Sequence, residues 1–310
     1  MGRMRSSARR MRRVGRELAG DPVEFLVNLP ELVLETPERR AKRLKGGGFM
    51  PWPPRPYAAL VDWEQRLHEQ LRAPWPCPDG DAFREAWDQI LAELERRKVP
   101  IGRGTFAGWG DGEPGLARAV WCLVRHQRPE TVVETGVARG ITSRVVLEAL
   151  AANGAGRLWS IDLPPPGQPR LHEQIGAAVP DQLHRRWRYV RGSSRRRLRG
   201  LLRELGTIDL FIHDSKHTER NLRFELGHAW KALIPGGFLV ADDVDLSHGF
   251  RAFQADHAEA ATLLCLAEPL TPDIGRQQDR GVFALVRAPI SEASASASLP
   301  VPPVRAPAPR

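Results

Sequence analysis

Six side chains in the second half of the chain are of types that do chemistry: Glu134, Asp162, Asp214, Asp242, Asp243 and the imidazole of His217. Each carboxylate lies at the end of a short apolar run, and strand ends are where open α/β sheets bind their ligands. Asp214, Asp242 and Asp243 together would present three oxygen ligands with open positions, a set suited to Mg²⁺ or a similar hard cation. Such a cation holds a hydroxyl and lowers its pKa. Left uncompensated, the same carboxylates repel one another and one pKa rises. The plainer reading is that Asp214 and Asp242 cap helices or loops and only Asp243 is functional. His217 follows Asp214 by three residues and titrates near neutral pH, so it could deprotonate an acceptor hydroxyl. A helix-capping or supporting histidine accounts for it equally well. His213 reads as structural, and Lys216 as a neutralising cation or plain surface. Asn221 and Glu225 lie one and two helical turns beyond His217. They fit a supporting role, as they fit ordinary helix polarity.

A second constellation opens the α/β part of the chain. The run Glu134-Thr135-Gly136-Val137-Ala138-Arg139-Gly140-Ile141-Thr142-Ser143 leads from an apolar stretch into a helical one. Its glycines permit a tight strand-to-helix turn and close approach of a ligand to the backbone. The helix start then offers free N–H groups. Gly-x-x-x-Gly alone is a weak signal, since a plain turn explains it as well. Asp162 closes the next apolar run, where a carboxylate can accept both hydroxyls of a ribose. A dinucleotide asks for Gly-x-Gly-x-x-Gly, but the middle position here is Ala138. Glu134 beside the turn repels a pyrophosphate and suits a cationic amine. The charges therefore favour S-adenosylmethionine, with its amine and sulfonium, over a nicotinamide dinucleotide.

The run Val132–Gly140, taken with Ile161-Asp162, resembles the first two motifs of class I S-adenosylmethionine-dependent methyltransferases. Asp209–Thr218, which holds His213-Asp214-Ser215-Lys216-His217, and Leu233–Val244, which holds Leu-Ile-Pro-Gly-Gly and Asp242-Asp243, are similar to the small-molecule branch known as methyltransferase family 24. That branch is related to macrocin-type and catechol-type O-methyltransferases. The resemblance covers residues 116–288. It implies a Rossmann-like α/β fold, with a seven-stranded, mostly parallel sheet whose last strand is antiparallel. It places Glu134 and Gly136 near the methionine part of the donor, Asp162 on the ribose and Gly192-Ser193 near the adenine. Ala138, Gly140 and Ser143 lie in the donor-facing turn and helix start. A metal is implied for the macrocin-type relatives, and His213 before Asp214 departs from their motif.

The surrounding elements agree with that order. Apolar runs at 131–135, 157–162, 187–190, 208–213 and 237–242 alternate with helical segments at 140–152, 169–178, 194–204 and 217–233. Strands alternating with helices make a parallel sheet with helices on both faces. A helix at 248–259 and runs at 261–267 and 281–288 follow. The short connection between the last two runs brings the final strand in antiparallel, like a hairpin partner. Upstream, residues 1–13 form a basic tail with six arginines and no acid. It is expected to be solvated, with a weak anionic-surface contact as the sharper reading. Residues 14–100 form a helical extension, and 46–58 (GGGFMPWPPRPYA) a linker within it. Helices are expected at 14–46, 59–72 and 81–98, the last with Phe83, Trp87, Ile90, Leu91 and Leu94 at helix spacing and Asp79 or Asp81 as its cap. This extension resembles no known family and is expected to cap the acceptor pocket or to make a dimer contact. The methyltransferase domain is expected over 101–288, opening on a glycine-rich segment whose Phe106 and Trp109 could form a lid. Residues 289–310, rich in Ser, Ala and Pro, have almost nothing to bury.

Composition bounds the rest. The chain has 310 residues, 42% hydrophobic and 27% charged, which is ordinary for a globular protein. Its net charge of +9 permits contact with anions without demonstrating it. Nine arginines between 185 and 203 form the densest charge. They read as a solvated face, or as a docking patch for an anionic partner. Only Trp187 and Tyr189 interleave with them, and both read as strand core, so nucleic acid ranks low as a partner. Cys77, Cys122 and Cys265 are odd in number and far apart, which argues against a disulfide framework and against a cysteine-based zinc site. They fit a reducing, cytoplasmic setting. No apolar run approaches the roughly 18–20 residues of a membrane span, and no secretory signal is expected. The expected function is methyl transfer to a hydroxyl of a small molecule or glycan, with possible Mg²⁺ assistance. The competitors are a metal-independent methyltransferase with His217 as base, a nicotinamide enzyme and a non-catalytic binding protein.

Overall fold

The structure, a computed structural model, describes residues 22–23, 26, 57–101, 105–106, 113–163, 169–268 and 281–290. The basic tail, the linker up to residue 56, Trp109 and the tail beyond 290 lie outside it. Of the helix expected over 14–46, only Pro22, Val23 and Leu26 are described, and they are helical and exposed.

Seven strands form one sheet: β1 (Thr131–Thr135), β2 (Arg157–Asp162), β3 (Trp187–Arg191), β4 (Ile208–His213), β5 (Leu233–Ala241), β6 (Ala261–Leu266) and β7 (Val282–Arg287). Their spatial order is β3-β2-β1-β4-β5-β7-β6. β1 to β5 pair in parallel, and β7 runs antiparallel to both neighbours. The expected antiparallel last strand is thus present, and it inserts between β5 and β6. An antiparallel partner can be reached through a short connection, whereas a parallel one needs a long crossover.

Eight helices surround the sheet among the described residues: α1 (Trp63–Leu71), α2 (Gly80–Arg96), α3 (Pro114–Gln127), α4 (Ile141–Asn153), the short α5 (Pro169–His172), α6 (Ser194–Leu205), α7 (Glu219–Trp230) and α8 (Gly249–Asp256). Because successive strand side chains point to opposite faces, each central strand feeds two cores. Val132, Leu210, Ile212, Phe238 and Val240 join the core under α1 to α4. Val133, Phe211, Leu239 and Ala241 join the core under α6 to α8. Each such Leu or Phe contributes about 1.5–3 kcal/mol by burial, so the strands that end in carboxylates are firmly seated.

The helical extension is continuous with this core from residue 57 onward. Trp63, Leu67, Phe83, Trp87, Ile90 and Leu94 are buried in the same cluster as the sheet. The Leu60 N–H donates to the Leu264 carbonyl at 2.7 Å, and the Trp63 ring meets Phe283 edge-on at 5.3 Å. Three departures from sequence expectation have identifiable contacts behind them. The expected 169–178 helix stops at His172, because Gly176 takes φ +68° and lies flat against Trp187, where a Cβ would come within 2.4 Å of the ring. β5 starts at Leu233 rather than 237 and absorbs the Pro-Gly-Gly kink as a register shift against β4. Asp79 occupies the N-cap of α2 without capping it through its side chain, since its carboxylate pairs with Arg125 at 3.0 Å.

Candidate functional site

The carboxyl ends of β1, β2, β4 and β5 meet at one edge of the sheet. Backbone bonds prolong the pairing past the strands and align them there: Asp214 N–H donates to Thr135 at 2.9 Å, Asp242 N–H to His213 at 2.9 Å and Gly136 N–H to Ile161 at 2.9 Å. Gly136 has φ +89°, and a Cβ on it would lie 1.9 Å from the Asp214 carbonyl oxygen. Only glycine fits where these strand ends cross. Ala138 also sits in the left-handed region, at φ +46°, which costs roughly 1–2 kcal/mol for a residue with a Cβ. The Asp162 carboxylate offsets that cost by accepting the N–H groups of Val137 at 3.1 Å and Ala138 at 2.9 Å. The turn therefore closes without a middle glycine.

Glu134 is fully buried. Its Oε2 accepts hydrogen bonds from Ser143 (2.6 Å) and Ser160 (2.7 Å), and Ser160 in turn accepts the indole N–H of Trp187 at 2.9 Å. Its Oε1 has no partner among the described residues. Burial, with a smaller push from Asp162, raises the Glu134 pKa to about 7 despite the two serines. A buried carboxylate with one bare oxygen is poised for a cationic partner. Burial also raises Asp162. The Tyr189 hydroxyl donates to the Asp162 carbonyl at 3.1 Å, and Gly192 N–H to the same oxygen at 2.9 Å. This brings the Gly192-Ser193 turn, which starts α6, beside Asp162. β3 is the edge strand: Trp187 packs partly buried against the core, Tyr189 is half-buried, and their polar tips serve this end of the sheet. The sequence signal for Ser160 was a lone hydroxyl two residues before Asp162, hence on the same face of β2.

Across the edge, one ligand atom each from Asp214, His217 and Asp242 lies within 4.8 Å of the other two. The expected third carboxylate, Asp243, stands outside that trio. Its backbone turns left-handed at φ +49°, and its Oδ2 is 3.7 Å from His217 Nε2. Burial pushes Asp214 well above the ordinary carboxylate range, and the charges of Glu134 and Asp243 add to it. Burial does the same to Asp242, with Asp243 and Asp214 adding. Two half-buried carboxylates plus a buried imidazole fit a divalent cation. The nitrogen extends the fit from Mg²⁺ toward Mn²⁺, Fe²⁺ or Zn²⁺.

A buried network supports this trio from behind. Glu225 pairs with His213 Nδ1 at 2.6 Å and accepts from Thr135 (2.5 Å), Ser215 (2.8 Å) and Asn221 (2.8 Å). Burial alone would raise Glu225, but the His213 charge and these bonds bring it to about 2. His213 is therefore structural, and Asn221 and Glu225 act through it and through Ser215. Thr218 caps α7 by accepting the Asn221 N–H, which places His217 just before the helix.

Arg139, to which the sequence assigned no role, is fully buried. It reaches Gln174 Oε1 (3.2 Å) and Thr105 (2.9 Å), with its guanidinium 5.2 Å from the Phe106 ring centroid. Phe106 itself is buried against the turn. The arginine-rich stretch spans β3 and α6. Leu198, Leu201 and Leu202 of α6 are buried, while Arg188 pairs with Glu204 at the surface and Arg195 covers Phe224. No helix among the described residues is long and apolar enough to cross a membrane.

Residues 133–244 match a family model described as a methyltransferase domain. No curated protein matches the chain. Among solved structures, an O-methyltransferase from Bacillus cereus in complex with SAH is 13% identical. It covers 74% of this chain and 97% of that one, with a TM-score of 0.48. The O-methyltransferase TomG from Streptomyces achromogenes, involved in tomaymycin synthesis and in complex with SAM, is 16% identical. It covers 66% and 90%, with a TM-score of 0.46.

Proposed function

We propose that this chain, a methyltransferase through its 133–244 domain, moves a methyl group from S-adenosylmethionine to a hydroxyl of a small molecule or glycan. The observation that carries the donor assignment is the bare, buried Oε1 of Glu134 beside a glycine turn and a strand-end carboxylate. Glu134 would take the donor's ammonium group, the open Gly136 turn its methionine part, Asp162 the ribose hydroxyls and Gly192-Ser193 the adenine side. When bound, the donor supplies a methyl group on a positively charged sulfur, so the protein's work is alignment and removal of one proton. A pyrophosphate finds a buried carboxylate at the place where it would need backbone donors, which counts against a nicotinamide dinucleotide.

Asp214, His217 and Asp242 are the residues that would hold a divalent cation and face the acceptor hydroxyl. Such an ion would lower that hydroxyl's pKa. The second reading has His217 take the proton itself, oriented by Asp243 at 3.7 Å. We place the protein in the cytoplasm on the strength of its free cysteines. The test is methyl transfer from labelled S-adenosylmethionine to a panel of hydroxylated acceptors, with donor binding followed by calorimetry. Binding of S-adenosylhomocysteine at micromolar concentration is expected. Preferential binding of NAD would overturn the assignment.

A further inference from the structure

At the amino end of the sheet, away from the carboxylate edge, lies a cluster that methyl transfer does not use. His68 stands in the last turn of α1, Cys77 in the loop before α2, and Cys122 and His126 near the end of α3. Cys122 and His126 are four residues apart on one helix, so both project from the same face. α3 separates this group from the reaction edge. Glu113 at its start acts on Asp242, whereas His126 lies about 20 Å further along the helix axis.

We propose that His68, Cys77, Cys122 and His126 bind one Zn²⁺ as a closed, four-ligand structural site that clamps α1 and the 72–79 loop to α3. Two of the distances match edges of a zinc tetrahedron. The two sulfurs lie 3.8 Å apart, and Cys77 Sγ is 3.5 Å from His126 Nε2. Zinc bonds of about 2.3 Å to sulfur and about 2.0–2.1 Å to nitrogen, set at tetrahedral angles, give edges of about 3.8 Å and about 3.5–3.6 Å. One ligand atom each from His68, Cys77 and Cys122 lies within 4.8 Å of the other two.

His68 is prepared for such a role. It is fully buried, and its Nδ1 faces the Glu64 carbonyl oxygen at 2.8 Å. A carbonyl can only accept, so Nδ1 carries the proton and Nε2 presents a lone pair. That Nε2 is buried with no partner among the described residues. A ring nitrogen donating to a backbone carbonyl while its opposite nitrogen stays bare is the usual arrangement of a zinc-ligating histidine. The His68 and His126 rings meet edge-on at 5.2 Å, and the Arg125–Asp79 pair at 3.0 Å ties the Cys77 loop to the same helix. On binding, the two thiols release two protons to solvent and zinc keeps its charge, so no oxidant or reductant enters. The sequence argued against a cysteine-based zinc site because its cysteines are far apart. Folding α1 and its loop against α3 removes that objection.

The test is metal analysis of the full chain, purified under reducing conditions and dialysed against a weak chelator. It is run beside C77S, C122S, C265S and the doubly substituted D214N/D242N. One zinc per chain is expected in wild type, in C265S and in D214N/D242N, with loss of at least 80% in C77S and C122S. Replacement of zinc by Co²⁺ in the wild-type protein is expected to give the absorption of tetrahedral thiolate ligation, which guards against misfolded variants. Zinc retained by both C77S and C122S, loss of zinc in D214N/D242N alone, or a Cys77–Cys122 disulfide seen by mass in place of bound metal would each overturn the proposal. So would a reduced wild-type protein that takes up no zinc or cobalt.

Discussion

Replacing Glu134 with Gln separates a donor-binding carboxylate from a merely structural one. The amide keeps the shape and can still accept from Ser143 and Ser160, so what it removes is the charge. Glu134 is fully buried and its pKa rises from an ordinary 4.5 to about 7, burial being the main cause. Such a group binds its proton more tightly in the folded chain than in the unfolded one. Its stabilising effect is complete below pH 4.5 and is lost as pH rises through about 7. The span between the two values corresponds to roughly 3 kcal/mol as an upper limit. Glu134→Gln should therefore raise the ligand-free stability at pH 8 by about 1–3 kcal/mol, or several degrees in Tm, with little gain at pH 5. The same change should weaken S-adenosylmethionine. Removing one partner of a buried, hydrogen-bonded charge pair costs about 2–5 kcal/mol, so the Kd should rise on the order of 10²- to 10³-fold. Donor affinity of the wild type should climb with pH up to about 7, as the carboxylate ionises, and then level off. The assay is calorimetric titration beside denaturant unfolding at pH 5 and pH 8. A Gln variant that is less stable at pH 8 and binds the donor normally would refute the reasoning.

Other outcomes follow from the same geometry. Asp162→Ala removes the acceptor of the Val137 and Ala138 N–H groups, so donor binding should fall below detection by calorimetry, while Asp162→Asn should keep part of the turn. Gly136→Ala places a methyl group 1.9 Å from the Asp214 carbonyl, and should cost on the order of 4 kcal/mol or more, seen as loss of soluble protein or of the unfolding transition. EDTA should leave S-adenosylhomocysteine affinity unchanged and reduce turnover at least tenfold, with rescue by Mg²⁺ or Mn²⁺. Full activity in EDTA, with loss in His217→Ala, would favour the imidazole as base. Glu225→Gln leaves His213 buried against a neutral amide and should destabilise the fold by about 3–5 kcal/mol, measured by urea unfolding.

Much of this architecture was readable residue by residue. The runs at 131–135, 157–162 and 208–213 are strands at those bounds, because β-branched and aromatic residues buried on both faces leave few alternatives to a central parallel strand. Glu134 and Asp162 were legible because a carboxylate ending an apolar run has only the strand's carboxyl edge to occupy. Gly136 was legible as a turn residue, but the Asp214 carbonyl that demands it lies 78 positions downstream. The 169–178 helix was misjudged because local propensity cannot register Trp187 lying over Gly176. That His217, arriving from the start of α7, comes within reach of Asp214 and Asp242, with Asp243 3.7 Å from its Nε2, was not legible, because it depends on how α7 packs against the strand ends.

Alternation of strand and helix, the glycine turn and the acidic strand ends belong to the sequence alone. Each is a short-range pattern set by side-chain periodicity and backbone freedom, and together they specify the class of fold and the strand-end edge where the acidic residues gather. Only the tertiary structure decided that β7 enters between β5 and β6, and that His217 joins Asp214 and Asp242. It alone brought Cys77 and Cys122 to 3.8 Å across 45 residues of chain. Such meetings depend on how whole elements pack to bury their apolar faces, and no local pattern carries that information.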